Sequence, residues 1–342
     1  MDGKIFNTIT APDSESGATK EVNSMNEFVF DLQRFSTWTL SAVTTTSGEG
    51  ESATTTTTSL KLVNGDTVIE LKPDANKNVF LDSTVAGFTS GDTIQVSDIV
   101  ELNGLRLNIG TKVNLNVTGT LSSGSTGTRV LYLKDGADLS ITGSGTIEAV
   151  GSGGGIPIFV NDGNLTLDGT KIVAGNSDKG GGYGAVYMNW KTTTDTSTFT
   201  MKSGELTCYG SSQAQVVYVS GDKYTFDMQG GTITADNSKV SSGWGVHGVE
   251  LNDGATFNMS GNSKITSSLV NKSSETTSTS TVYDGGVWLW NDSTFNMTGG
   301  TIESQNYFAI TGNGTADPNV ANYGANTNIS ITGNSKVTSA NC

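Results

Sequence analysis

Few side chains in this chain are of the types that support catalysis or ligation. There is one histidine, His247, and there are two cysteines, Cys208 and Cys342. A zinc site needs about four nitrogen or sulfur ligands, and a disulfide framework needs several pairs; neither can be built from this set. His247 lies two places before Val249 on the inward parity of a strand-like piece, where a hydrogen-bonded corner histidine is the expected role. Cys208 falls in a column of small inward residues and is expected as a buried free thiol. Cys342 lies about four repeats further on, roughly 19 Å away at the usual strand spacing, too far for an internal bridge.

The carboxylates are more numerous but scattered. Asp135, Asp162, Asp253 and Asp292 recur along the chain and could be mistaken for a ladder of metal ligands. They close strand-like pieces in Asn-Asp-Gly-like contexts, where the side chain bonds to its own backbone and tolerates positive φ, so turns are expected. The calcium-binding nonapeptide G-G-x-G-x-D is absent. Asp227 has no acidic neighbour one repeat away, and no paired carboxylates emerge for acid–base work. No catalytic residue, metal or cofactor is assigned, and the chain is read as a non-enzyme.

The elements that carry these residues repeat. First pieces read LYLKDG, IFVNDG, VYMNWK, VYVSGD, VELNDG and WLWNDS. Second pieces read DLSITG, NLTLDG, TFTMKSG, TFDMQGG, TFNMSGN, TFNMTGG and NISITGN. Third pieces read TIEAV, KIVAG, ELTCY, TITAD, KITSS, TIESQ and KVTSA. Each alternates apolar and polar residues with period two, the pattern of a strand with one dry face. The second-piece columns run Leu139/Ile141, Leu165/Leu167, Phe199/Met201, Phe226/Met228, Phe257/Met259, Phe295/Met297 and Ile329/Ile331. The first-piece columns are assigned as Leu131/Leu133 through Val249/Leu251 to Trp288/Trp290. The outward first-piece positions then form an exposed aromatic row, Tyr132, Phe159, Tyr187 and Tyr218. Such a row can stabilise its strands, meet another protein, or stack on sugar rings.

Constant strands with corners of varying length predict an all-β chain: a single-stranded parallel β-helix, or β-solenoid, with three strands per coil. A β-sandwich is the competing fold, but it gives no reason for like residues to recur in fixed columns. The three-strand coil with Asn-Asp-Gly corners resembles the right-handed parallel β-helix superfamily of pectate-lyase-like proteins and adhesins. That resemblance implies architecture and no activity. Residues 60–121 are read as irregular coils, with Leu115/Val117 and Leu121 in the second and third columns, and 130–342 as regular ones. The Thr/Ser-rich stretch 44–59 is read as a spacer. Residues 1–43 are read as an extended segment, a candidate donor strand or plug. Within it FVFDLQRF resembles a short element of surface or assembly proteins of some anaerobic bacteria.

A formal charge of −14, with 33 acidic against 19 basic residues, excludes a nucleic-acid footprint. No apolar run is long enough to insert in a membrane, and the first residues show no cleavable secretion signal. The last repeat, NISITGNSKVTSANC, brings no cap, so Ile329, Ile331 and Val337 are expected at an open end. Phe28, Phe30, Leu32 and Phe35 are the candidate cover. Two unlike ends make a heterologous contact that repeats without closing. The expected function is therefore a structural subunit whose partner is itself, forming an extracellular or cell-surface bacterial filament or matrix fibre. A monomeric adhesin or carbohydrate-binding β-helix recognising surface glycans is the alternative, and a polysaccharide lyase or hydrolase is less favoured.

Overall fold

The computed structural model describes residues 19–22, 28–31, 35–47, 54–124, 129–151, 155–189, 195–210, 213–240, 243–268, 282–305, 308–312 and 326–339. Every regular element among them is a strand. The chain divides into two compact units, Met1–Ser36 and Thr37–Cys342. In the first, Thr19–Val22 pairs antiparallel with Phe28–Asp31.

The second unit is built from parallel ladders. The alternating second pieces pair in register, Leu139 on Leu165 on Phe199 on Phe226 on Phe257 on Phe295. Third pieces form their own ladder, Ile147 on Ile172 on Leu206 on Ile233 on Ile265 on Ile302. First pieces make a separate sheet of nine strands, from Asn78–Leu81 to Phe308–Gly312. Inward residues of all three ladders are shut away from solvent in one apolar cluster. Like stacks on like within it: the rings of Phe199, Phe226, Phe257 and Phe295 lie parallel with centroids 4.7, 4.8 and 5.0 Å apart, one strand spacing per step.

Two devices turn the chain between ladders. The corner between second and third pieces needs a left-handed backbone, and glycine supplies it at Gly143, Gly169, Gly231 and Gly300. A Cβ on Gly143 would lie 2.2 Å from the Val117 carbonyl oxygen, so the corner admits no side chain. After the first pieces the turn residue is aspartate, with φ of 56° at Asp135, 53° at Asp253 and 56° at Asp292. This is the corner role read from the sequence; Asp162 is not among the residues with positive φ.

The start of the second unit departs from the sequence reading. Of the stretch 44–59, residues 44–47 and 54–59 carry strand rather than spacer, and 48–53 lie outside the described residues: Thr37–Ser47 runs antiparallel to Thr54–Asn64, which pairs in turn with Thr67–Leu71. The stretch from residue 60 to 71 is therefore a hairpin and not an irregular coil. Its two-residue turn is Gly65-Asp66 after Asn64, with Gly65 at φ 55°, a hairpin signal. This meander extends the large sheet, because Thr37–Thr39 pairs parallel with Thr93–Gln95. Trp38, Leu40, Leu60, Leu62 and Leu71 join the core. The Trp38 indole donates to buried Asp92 at 2.8 Å. Trp38→Phe is expected to cost about 2 kcal/mol in a denaturant titration, since a charge-assisted bond is lost and a buried carboxylate loses a donor.

Two registers also differ. Val113/Leu115, not Leu115/Val117, stack on Leu139/Ile141; Leu121 does stack on Ile147. In the first ladder Val287 and Leu289 are inward on Val249 and Leu251, which places Trp288 outward beside Glu250. The slip follows from the turn, where Asn291-Asp292 stand one place further beyond Leu289 than Asn252-Asp253 stand beyond Leu251. Before these residues the ladder bulges, and two consecutive residues turn inward. Val130/Leu131 and Val216/Val217 are all fully buried. At the equivalent place Gly248 abuts Ile265, where a Cβ would come within 2.5 Å. A doubled inward residue reverses the parity of everything before it.

Candidate functional site

The outermost described strand of the large sheet is Asn328–Ser339, which pairs only with Thr294–Ser304 among the described residues. Phe295, Met297 and Ile302 are fully buried beneath it, while Ile329, Ile331 and Val337, which stack on them, are 48, 45 and 37 % exposed. The core columns thus continue through the last strand to an apolar face in contact with water. Its polar positions continue ladders too. Asn258 donates to Asp227 Oδ1 at 2.6 Å and Asn296 to Asn258 Oδ1 at 3.0 Å, and Ser330 follows in the same column. Lys264 holds Glu303 at 2.9 Å; that hydrogen bond, with Lys336 adding its charge, keeps the carboxyl below the usual range. Among the described residues the strand pairs with one neighbour and with no strand on its other side.

Of the expected assembly residues, the structure brings Ile329, Ile331 and Val337 together. Phe28 and Phe30 lie on the hairpin strand Phe28–Asp31 of the first unit. Phe35 is exposed, and Leu32 lies outside the described residues. Cys208 is a buried free thiol stacked between Ala174 and Ala235, and burial pushes its pKa up. Cys342 lies outside the described residues.

The aromatic row on the first ladder is stacked, as expected, but it is not exposed. Its column reads Phe80, Asn108, Tyr132, Phe159, Tyr187, Tyr218, Glu250 and Trp288. Tyr132 stacks on Phe159 at 5.4 Å and Tyr187 on Tyr218 at 4.8 Å. Phe159 and Tyr187 are only 1 and 7 % exposed, packed with Ile156 in a second apolar cluster. The ring faces are taken by one another and by the guanidiniums of Arg106 over Tyr132 and Arg129 over Phe159. Little ring face is left for a sugar.

A polar pocket of side chains continues the row. Tyr187 donates its hydroxyl to Gln215 Oε1 at 2.6 Å. Burial raises the pKa of Glu250 against the opposing bonds from Asn252 and Gln215. His247 was expected inward and hydrogen-bonded at a corner. The bulge turns it outward instead, level with Gln215, where it is buried edge-on against Trp288 at 4.5 Å with no hydrogen bond to Nδ1. The groups are not disposed as a nucleophile and base. Sequence reasoning missed this cluster because the bulge shows only as two adjacent apolar residues, such as Val216-Val217, inside an otherwise alternating piece.

The fold and this face define an all-β chain with long parallel strand stacks. Compared with known protein families, with curated proteins and with solved structures, the chain matches none.

Proposed function

We propose that the chain is a parallel β-solenoid with three strands per coil, and that it is a structural subunit which self-assembles head to tail through its Asn328–Ser339 face into an extracellular bacterial filament or matrix fibre. The observation that carries this reading is the exposure of Ile329, Ile331 and Val337 directly over buried Phe295, Met297 and Ile302. A second copy is the partner best matched to columns that already stack like on like. Covering three half-exposed aliphatic side chains is worth about 3 kcal/mol, at roughly half of their full burial energy. Association costs on the order of 4–15 kcal/mol. The deciding term is the ladder, where a strand of this length offers on the order of ten bonds at about 1 kcal/mol net each. Assembly is then concentration dependent and driven mainly by backbone pairing.

One observation favours a second reading. The opposite end of the large sheet is finished by the antiparallel meander Thr37–Leu71, with its apolar residues in the core. Two copies joined by their Asn328–Ser339 faces would form a closed, isologous dimer and stop there. Sedimentation velocity and negative-stain images of the whole chain separate the two readings, fibres against dimers; a monomer across tens of micromolar refutes both. In either case Ile329→Asp with Ile331→Asp is expected to weaken association about 100-fold or more, because two apolar contacts are replaced by charges that must be desolvated. The melting temperature should barely move, since both residues are half exposed.

A further inference from the structure

Two of the three arginines of this acidic chain, Arg106 and Arg129, meet on the outer face of the first ladder. Arg106 stands beside Asn78. Val130 is buried in the core, and Arg129 before it opens the strand that pairs with that of Arg106, close enough for the two charges to interact. Their guanidiniums lie 5.4 Å from the Tyr132 ring and 4.6 Å from the Phe159 ring, and those two rings are 5.4 Å apart in one stack. Like charges one strand spacing apart repel, and the repulsion from Arg106 adds to burial in lowering the pKa of Arg129.

No ion pair among the described residues offsets this charge, because all of those pairs are made by lysines. The side chain of Arg129, half-buried, makes no hydrogen bond among the described residues. Arg106 is held in place from behind: Asp74 accepts from the Asn78 amide at 2.9 Å, which aims Asn78 Oδ1 at the guanidinium, and Arg106 Nε donates to it at 2.9 Å. Asn108 donates to the same oxygen at 3.2 Å. Arg106 is thus pre-oriented, with Nε and one Nη spent on Asn78 and its remaining Nη left over for a ligand, while the side chain of Arg129 keeps its donors unspent, in a protein whose net charge is −14.

We propose that Arg106 and Arg129 form an oxyanion-binding site that takes a single carboxylate or sulfate-like group between their two guanidiniums. Planar forks of this kind match a pair of oxygens on one group. The ring faces below are already stacked, so the site reads the charged group and not a sugar ring. The overall acidity of the chain repels long polyanions, which selects a small or sparsely charged ligand. The site is independent of self-assembly, because it lies on the first ladder and the assembly face on the last strand of the other sheet.

The test is titration of the whole chain with acetate, inorganic sulfate and inorganic phosphate at low ionic strength, followed by calorimetry and by amide shifts of residues 106–109 and 129–133. Saturable binding by the wild type is expected, and Arg129→Gln should weaken it about tenfold or more, as loss of a charge-assisted pair implies. Arg106→Gln should do the same, while Arg129→Lys, which keeps the charge and the stem but loses the fork, should fall between. Preference for acetate over sulfate, or the reverse, identifies the source of the oxyanion. A purely structural arginine predicts a different pattern: R129Q would lower the melting temperature of the free protein and leave the isotherm of the folded fraction unchanged. That pattern, or no saturable binding by the wild type, overturns the proposal; if R129Q does not fold, the isotherms of R129K and R106Q decide between the same two outcomes.

Discussion

Phe257→Ala is expected to destabilise the protein by about 3–5 kcal/mol, the usual cost of emptying a large buried aromatic site. The ring is fully buried and lies between Phe226 at 4.8 Å and Phe295 at 5.0 Å. Both neighbours are fixed by their own ladder bonds, so they cannot collapse into the space, which places the cost toward the upper part of that range. Part of it belongs to the stack: a double-mutant cycle of Phe226→Ala with Phe257→Ala should show coupling of about 0.5–1.5 kcal/mol. Because each level of the stack rests only on the levels next to it, the weakened step should also separate the two sides of the molecule. A guanidinium titration read by two local probes, one near Trp38 and one near Trp290, is then expected to give two midpoints where the wild type gives one. A loss below about 1 kcal/mol would show that the columns are not the source of stability.

The columns were legible because sequence and packing share one constraint there. A buried face repeated in register demands the same size of residue at each level, so TFTM, TFDM, TFNM and TFNM reveal both the strand and its neighbours. The glycines after them were legible for a related reason, since the corner they occupy closes on the carbonyl of the strand below. What escaped detection lacks that redundancy. The meander Thr37–Leu71 occurs once, and its Thr-rich composition imitates a linker, although Asn64-Gly65 between alternating runs is a hairpin signal. The bulge of the first ladder shifts parity by one residue, enough to send His247 to the opposite face, and the extra residue Trp290 before Asn291-Asp292 exchanges Trp288 for Leu289. The assembly face was partly legible: Ile329, Ile331 and Val337 could be placed in their columns, but their exposure depends on what lies beyond, which no column records. Arg106 and Arg129 are 23 positions apart and come together only through the pairing of two neighbouring strands of the first ladder.

Acid should act on the fold through His247. Desolvation alone lowers its pKa from 6.5 to about 3, because the ring is sealed against Trp288 and nothing accepts a proton from Nδ1. The unfolded chain therefore takes up the proton first. Stability is intact above about pH 6.5 and falls as the pH drops toward 3, by up to about 1.4 kcal/mol per pH unit. Glu250, on the same outer face, works in the opposite sense. Its pKa is raised by burial, so in that range the folded state takes up a proton before the unfolded one and regains stability as the pH falls. The contribution of these two groups to the acid loss is the difference between them, and each variant exposes one of them. His247→Phe, which keeps a ring against Trp288 and cannot charge, is expected to flatten the profile between pH 6.5 and 4, whereas Glu250→Gln should steepen it. Urea midpoints at several pH values measure both slopes. Parallel profiles for wild type and H247F would mean that the imidazole is already protonated, or reached by water, in the native protein.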